Sequence, residues 1–197
     1  MFDGSQIKVG DSLVGLMENG FRSNGLSLAR KVLTGTYGPE WHNCTVESQN
    51  IGKLVLTPSV IYCAAVCDMF GGYDQEPKAE VHGVAHITGG GIPGKLGRVL
   101  KPSGLGAVIN KPIKPVDFMT YLQQIGNVSD REAYKTWNMG QGMIIASPKP
   151  ENVIDIAREH KIGARVIGQV VASPGITIKS KGYQAREGIG EESLLFS

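Results

Sequence analysis

Three glycine-rich segments hold the residue types best suited to chemistry in this chain. The first is Gly20-Phe21-Arg22-Ser23-Asn24-Gly25. A tight turn feeding a helix aims free amides and the positive end of the helix dipole at one spot. Ser23 and Asn24 add polar side chains there, and Arg22 adds a fork suited to phosphate. The same residues also serve an ordinary helix cap. The second is His86-Ile87-Thr88-Gly89-Gly90-Gly91, where a strand ends in a histidine, a hydroxyl and bare backbone. Ligands of α/β proteins commonly sit at such strand ends. Each glycine costs entropy on folding that a plain turn does not require. The third is Trp137-Asn138-Met139-Gly140-Gln141-Gly142, in which the Asn138 amide can both donate and accept. A turn packed around tryptophan and methionine fits it equally well. From residue types alone, the three loops can converge on an anionic ligand. No phosphate-binding G-x-x-x-x-G-K-[ST] loop, nucleophile elbow or H-E-x-x-H pair is present.

The elements that must position these loops follow from apolar periodicity. Residues 11–16 read as a buried strand. Residues 26–34 read as a helix capped by Ser23 or Asn24 and closed by Gly35. Residues 38–53 are polar and irregular. Thr57-Pro58 marks a helix start that runs to Gly71-Gly72. Residues 81–88 are strand-like, 96–100 a short helix, 106–110 a strand and 115–125 a helix. Ser129 and Glu132 form a capping-box pattern for another helix. Strands are expected at 142–146 and 165–172, with a helix at 151–160 between them. Ser173-Pro174-Gly175 turns the chain into a returning hairpin strand at 176–179, and residues 182–197 are weakly patterned. Strand–helix–strand–hairpin preceded by helices implies an α+β fold, a mixed sheet covered by helices in one domain spanning residues 1–197. Strands 81–87, 143–146 and 165–171 are expected in one sheet.

Bulk composition narrows the function classes. With 197 residues the chain can bury roughly 70 % of its unfolded surface and needs no staples. Twenty basic and eighteen acidic residues give a formal charge of +2 with no long basic run, which argues against a nucleic-acid partner. No apolar stretch approaches the ~20 residues of a membrane span, and no signal peptide is recognisable at the start, so the cytoplasm is the expected compartment. Cys44, Cys63 and Cys67 match no metal-ligand spacing, so no metal site is expected and the thiols read as buried structural groups. His42, His82 and His160 read as surface or packing residues.

The motifs also resemble a known family. G-D-S-L-V-G-L followed by R-S-N-G-L-S-L-A-R-K-V-L, L-T-P-S-V-I-Y, A-H-I-T-G-G-G-I-P-G-K-L-G-R-V-L and W-N-M-G-Q-G-M are similar, in order, to segments of the C-terminal domain of aminoimidazole ribonucleotide (AIR) synthetase. The resemblance covers about residues 10–173. It implies a three-layer α/β/α domain with a mixed sheet. It also implies ATP-dependent ring closure of formylglycinamidine ribonucleotide (FGAM) to AIR in purine synthesis. ATP and Mg2+ are then held mainly by N-terminal domains of a dimer, a half that this chain is expected to lack, and the isolated chain is expected not to turn over ATP. The phosphorylated ribonucleotide would meet Arg22, Ser23, Asn24, Gly25, His86, Thr88, Gly89, Gly90, Gly91, Asn138 and Gly140. Arg22 would hold phosphate, while His86, Thr88 and Asn138 would face the base or formyl side. No catalytic residue is assigned.

Four departures stand out. Arg22 replaces the family's histidine, Leu26 its tyrosine, Ser59-Val60 its threonine–arginine, and the stretch around Gly94-Lys95 lacks its glutamate. Arginine suits phosphate but does not titrate near neutral pH. A paralogous or non-catalytic module binding another phosphorylated metabolite is therefore the alternative reading.

Overall fold

The computed structural model describes residues 4–72 and 74–197. In chain order the elements are β1 (Ser12–Met17), α1 (Leu26–Tyr37), a 3-10 turn (Trp41–Asn43), β2 (Thr45–Val46), β3 (Gln49–Asn50), α2 (Ile51–Val55), α3 (Cys63–Met69) and β4 (Gly83–His86). There follow α4 (Gly91–Leu100), a second 3-10 turn (Lys101–Ser103), β5 (Gly106–Ile109), α5 (Asp117–Gly126), α6 (Asp130–Thr136) and β6 (Gln141–Ser147). The chain continues through α7 (Pro150–Glu159), β7 (Ala164–Val171), β8 (Gly175–Lys179), α8 (Tyr183–Arg186) and β9 (Ser193–Phe196).

Seven strands form one mixed sheet in the order β4-β6-β1-β7-β5-β8-β9. Every neighbouring pair is antiparallel except β5 and β8, which are parallel. The three strands expected in one sheet are there as β4, β6 and β7. Strand alternation sorts side chains to two faces. Leu13, Ile144 and Ala146 join α1, α4, α5 and α6 in one apolar core. Val14, Leu16, Met143 and Ile145 join α3 and α7 in the other. The result is the expected three-layer arrangement. β6 is buried along its whole length because helices cover both of its faces.

Local signals explain several boundaries. The Ser129 hydroxyl accepts the Glu132 amide at 3.2 Å, so the capping pattern starts α6 as expected. Pro150 opens α7, and Val153, Ile156 and Ala157 form its buried stripe.

Other expectations are corrected. Residues 57–62 are not helical: the Glu18 carboxylate takes the Val60 amide at 3.1 Å and the Tyr62 hydroxyl at 3.1 Å, and α3 begins only at Cys63. The α1 cap is Gly25 in a left-handed conformation, with no side-chain cap. Residues 38–53 hold the β2–β3 hairpin and α2, which Asn50 caps through the Lys53 amide. The turn at 173–175 makes no hairpin with β7, because β5 lies between β7 and β8. A side chain at Gly106 would sit 2.0 Å from the Ser173 carbonyl, so only glycine lets β5 run through that gap. The tail is ordered into α8 and β9. Buried Asp130 ties it down, accepting from Ser180 Oγ, Gln123 Nε2 and the amides of Gln184 and Ala185. Cys63 and Cys67 are exposed, since Tyr62, Ala65 and Met69 take the core-facing positions of that turn, and Cys44 is half-buried. His82 is buried against Asp11 at 2.8 Å, a packing role. No helix among the described residues is long and apolar enough to cross a membrane.

Candidate functional site

The sheet brings the three loops to one edge. β1 ends at Met17 opposite Gln141, where β6 begins, and His86 at the end of β4 lies opposite Met143. The chain therefore leaves β1 and β4 and enters β6 on the same side. Hydrogen bonds then knit the loops together. The Asn24 side-chain oxygen accepts the Gly89 amide at 3.0 Å, and Trp137 Nε1 donates to the Gly25 carbonyl at 3.1 Å. Asn138 Nδ2 donates to the Gly20 carbonyl at 2.8 Å, while its oxygen accepts the Gly140 amide at 2.9 Å.

These contacts separate inward-facing residues from outward-facing ones. Asn138, expected to address a ligand, is 4 % exposed and has both ends of its amide committed to backbone. It holds two loops in register. Gly91 and Gly140 are also turned inward. A Cβ at Gly91 would lie 2.0 Å from the Tyr134 carbonyl, and both glycines have positive φ. Gly25 packs under Trp137, whose Cδ1 would be 2.4 Å from an added Cβ. By contrast, Ser23, His86, Gly89 and Gly90 are exposed, and Asn24 and Thr88 are half-buried. Gly89 needs neither positive φ nor space from its neighbours, since an added Cβ would make only ordinary contact with Asn24 Oδ1 at 3.6 Å. Its bareness has no internal cause.

Arg22 is the main correction. It sits at φ 63, a left-handed conformation that costs a non-glycine residue energy. Its Nη1 donates to Glu18 Oε2 at 2.9 Å and to the Gly142 carbonyl at 3.3 Å. Its Nη2 donates to His86 Nε2 at 2.5 Å, and the guanidinium lies over the Tyr62 ring, 5.3 Å from its centroid. Glu18 is fully buried and neutralises it. With its charge answered by Glu18 and both Nη1 donors and one Nη2 donor taken, Arg22 is held inward and is not a free phosphate ligand. Burial and the adjacent Glu18 charge raise the Tyr62 phenol far above its ordinary value, so it remains a neutral donor.

A cation the motif reading passed over faces the same edge. Lys95 lies one turn into α4, has no carboxylate partner among the described residues, and its charge acts on His86. The only signal for it in the sequence is that it falls where the family's glutamate is missing. Glu18 gave no signal at all, standing in what reads as a polar turn. The helices add to the electrostatics. α1 and α4 both start at left-handed glycines, Gly25 and Gly90, and neither carries a side-chain cap. Two helix N-termini thus meet beside Ser23, Thr88 and Lys95; in α4 the Thr88 carbonyl takes the Gly91 amide at 2.9 Å and Pro93 has no N–H, which leaves the Ile92 amide.

The chain as a whole has known counterparts. The family described as AIR synthase related protein, C-terminal domain, matches residues 8–181. The phosphoribosylformylglycinamidine cyclo-ligase of Methanococcus vannielii is 42% identical over 177 residues, covering 86% of this chain and 47% of that protein. The enzyme of the same name from Acetivibrio thermocellus is 35% identical over 177 residues, covering 87% of this chain and 49% of that protein. The chain thus spans about half the length of the curated relatives it matches. Among solved structures, E. coli HypE, a hydrogenase maturation protein, superposes with a TM-score of 0.56 at 19% identity, over 91% of this chain and 49% of that one. T. maritima PurL complexed with FGAR gives 0.52 at 17% identity, over 90% of this chain and 27% of that one. Both share the fold. On the match across residues 8–181, the chain belongs to the AIR synthase related C-terminal domain family.

Proposed function

We propose that this chain is the substrate-binding half of phosphoribosylformylglycinamidine cyclo-ligase, which uses ATP to close FGAM to AIR. The observation that carries this reading is the meeting of the 22–25 and 86–90 loops at the open N-termini of α1 and α4. Two helix dipoles, with the first-turn amides of α1 and the Ile92 amide of α4, raise the positive potential at one spot, where a phosphate ester is stabilised. Lys95, half-buried, supplies a cation beside it. The hydroxyls of Ser23 and Thr88 have no internal partner among the described residues and stand ready as donors. The relatives bearing the cyclo-ligase name support the choice of substrate.

Magnesium and ATP belong, in this reading, to the N-terminal half of the enzyme and to the dimer built on it. Among the described residues no three His, Cys, Asp or Glu side chains converge on one metal position. The chain contributes binding and orientation of the ribonucleotide.

The test is reconstitution. Mixed with the N-terminal half of a relative, the chain should release ADP in an FGAM-dependent manner, and neither half should do so alone. In the same assay Lys95→Ala should raise KM for FGAM about tenfold with kcat little changed, the effect of losing one charged hydrogen bond of ~1.5 kcal/mol. A mixture that binds and turns over no FGAM while both halves are folded would sink the proposal.

A further inference from the structure

The geometry points to Arg22 and Glu18 as a positioning pair that holds His86 in one tautomer, with Nδ1–H offered outward as a neutral hydrogen-bond donor. Arg22 Nη2 approaches His86 Nε2 to 2.5 Å. A guanidinium has only donors and stays protonated, so Nε2 must be bare and accepting. The proton of the neutral ring then sits on Nδ1. No hydrogen bond engages Nδ1 among the described residues, and the ring is exposed at the tip of β4, next to Thr88 and Gly89.

Arg22 can hold this position because it is itself pinned. Glu18 Oε2 and the Gly142 carbonyl fix Nη1, and the Tyr62 ring supports the guanidinium plane. Gly142 must be glycine for this: an added Cβ would lie 2.0 Å from the Tyr62 hydroxyl and 2.8 Å from Arg22 Nη1. The left-handed backbone at Arg22 is the conformation that turns its side chain back toward Glu18 four residues earlier. A strained residue, a buried counter-charge and a bare glycine thus serve a single contact.

The charged groups facing His86 agree with it. Burial, Arg22 and Lys95 all lower its pKa, and only Glu18 opposes them. The ring stays neutral where a free histidine begins to charge. A proton arriving at Nε2 would meet Arg22 head-on, so His86 does not shuttle protons through that nitrogen. It binds an acceptor oxygen of the ligand, whether carbonyl, amide or phosphate. This deepens the proposed function and rests on the same edge being the ligand-facing wall, but its test needs no ligand.

The experiment is nitrogen-15 NMR of the histidine rings in the whole chain, with His86 assigned by its loss in His86→Gln. The expected result is a bare Nε2 and a protonated Nδ1, with a titration midpoint below the ordinary value of about 6.5. In Arg22→Ala the Nε2–H form should become the major one and the midpoint should return toward the ordinary value. If removing Arg22 alone leaves Glu18 unpaired and the chain unfolded, the double variant Glu18→Gln with Arg22→Met removes both charges together and should give the same release. A wild-type His86 protonated on Nε2, or a tautomer unmoved by either variant, overturns the inference. Because no ribonucleotide is present, reconstitution can fail while this result stands, and the reverse.

Discussion

Glu18→Ala should cost this domain about 3–5 kcal/mol of stability, the usual penalty for stripping one partner from a buried ion pair. The carboxylate is fully buried and accepts four hydrogen bonds, from the amides of Asn19 and Val60, from Arg22 Nη1 and from the Tyr62 hydroxyl. Its loss strands a guanidinium that is only 11% exposed and releases the 57–62 segment. Since single domains are stable by ~5–15 kcal/mol, the loss would be a large share of the total. Glu18→Gln keeps the shape and part of the bonding, and should cost clearly less. Urea unfolding of both variants checks the ordering. A loss below about 1 kcal/mol for the alanine variant would show that Arg22 is not held as described.

Asn138→Ala should be the second large loss, about 2–4 kcal/mol, because the Gly20 carbonyl and the Gly140 amide are both left without partners where water does not reach. The effect should be local as well as global. Hydrogen exchange should quicken at residues 20–25 and 138–142 together, since one amide joins them. Asn138→Asp should do no better than alanine. An aspartate keeps the acceptor for Gly140 but sets its second oxygen against the Gly20 carbonyl. Unchanged exchange in either loop would mean that the two loops are held by something other than this bridge.

How far the sequence carries depends on how local each cause is. The strands were readable because Leu13 to Leu16 and Met143 to Ala146 place apolar side chains on both faces, and both faces are covered. The α6 start was readable because Ser129 and Glu132 lie three residues apart and bond to each other. The three loops were readable because glycines crowd in them, all but Gly89 at a close approach or a positive φ. What could not be read has partners far along the chain. Thr57-Pro58 has the chemistry of a helix start, but Glu18, forty-two residues before Val60, claims that amide and delays the helix. Ser173-Pro174-Gly175 is a good turn, yet a turn does not choose the strand it pairs with, and β5 inserts there because Gly106 fits. The tail has weak local preference and is held instead by Asp130, fifty or more residues away. Arg22 has the right type for a phosphate ligand. Only the fold reveals that its charge is already answered.

Taken together, the loops at 22–25, 86–91 and 138–142 make one edge, of which the first two face outward and the third serves as their support. Titrating the isotope-labelled chain with AIR, the ring-closed ribonucleotide, and following backbone amide shifts by NMR tests that division directly. The account predicts the largest shifts at residues 23–27, 88–92 and 95, with smaller, secondary shifts at 138–142. Shifts centred on other surfaces, or none at millimolar nucleotide, would contradict it.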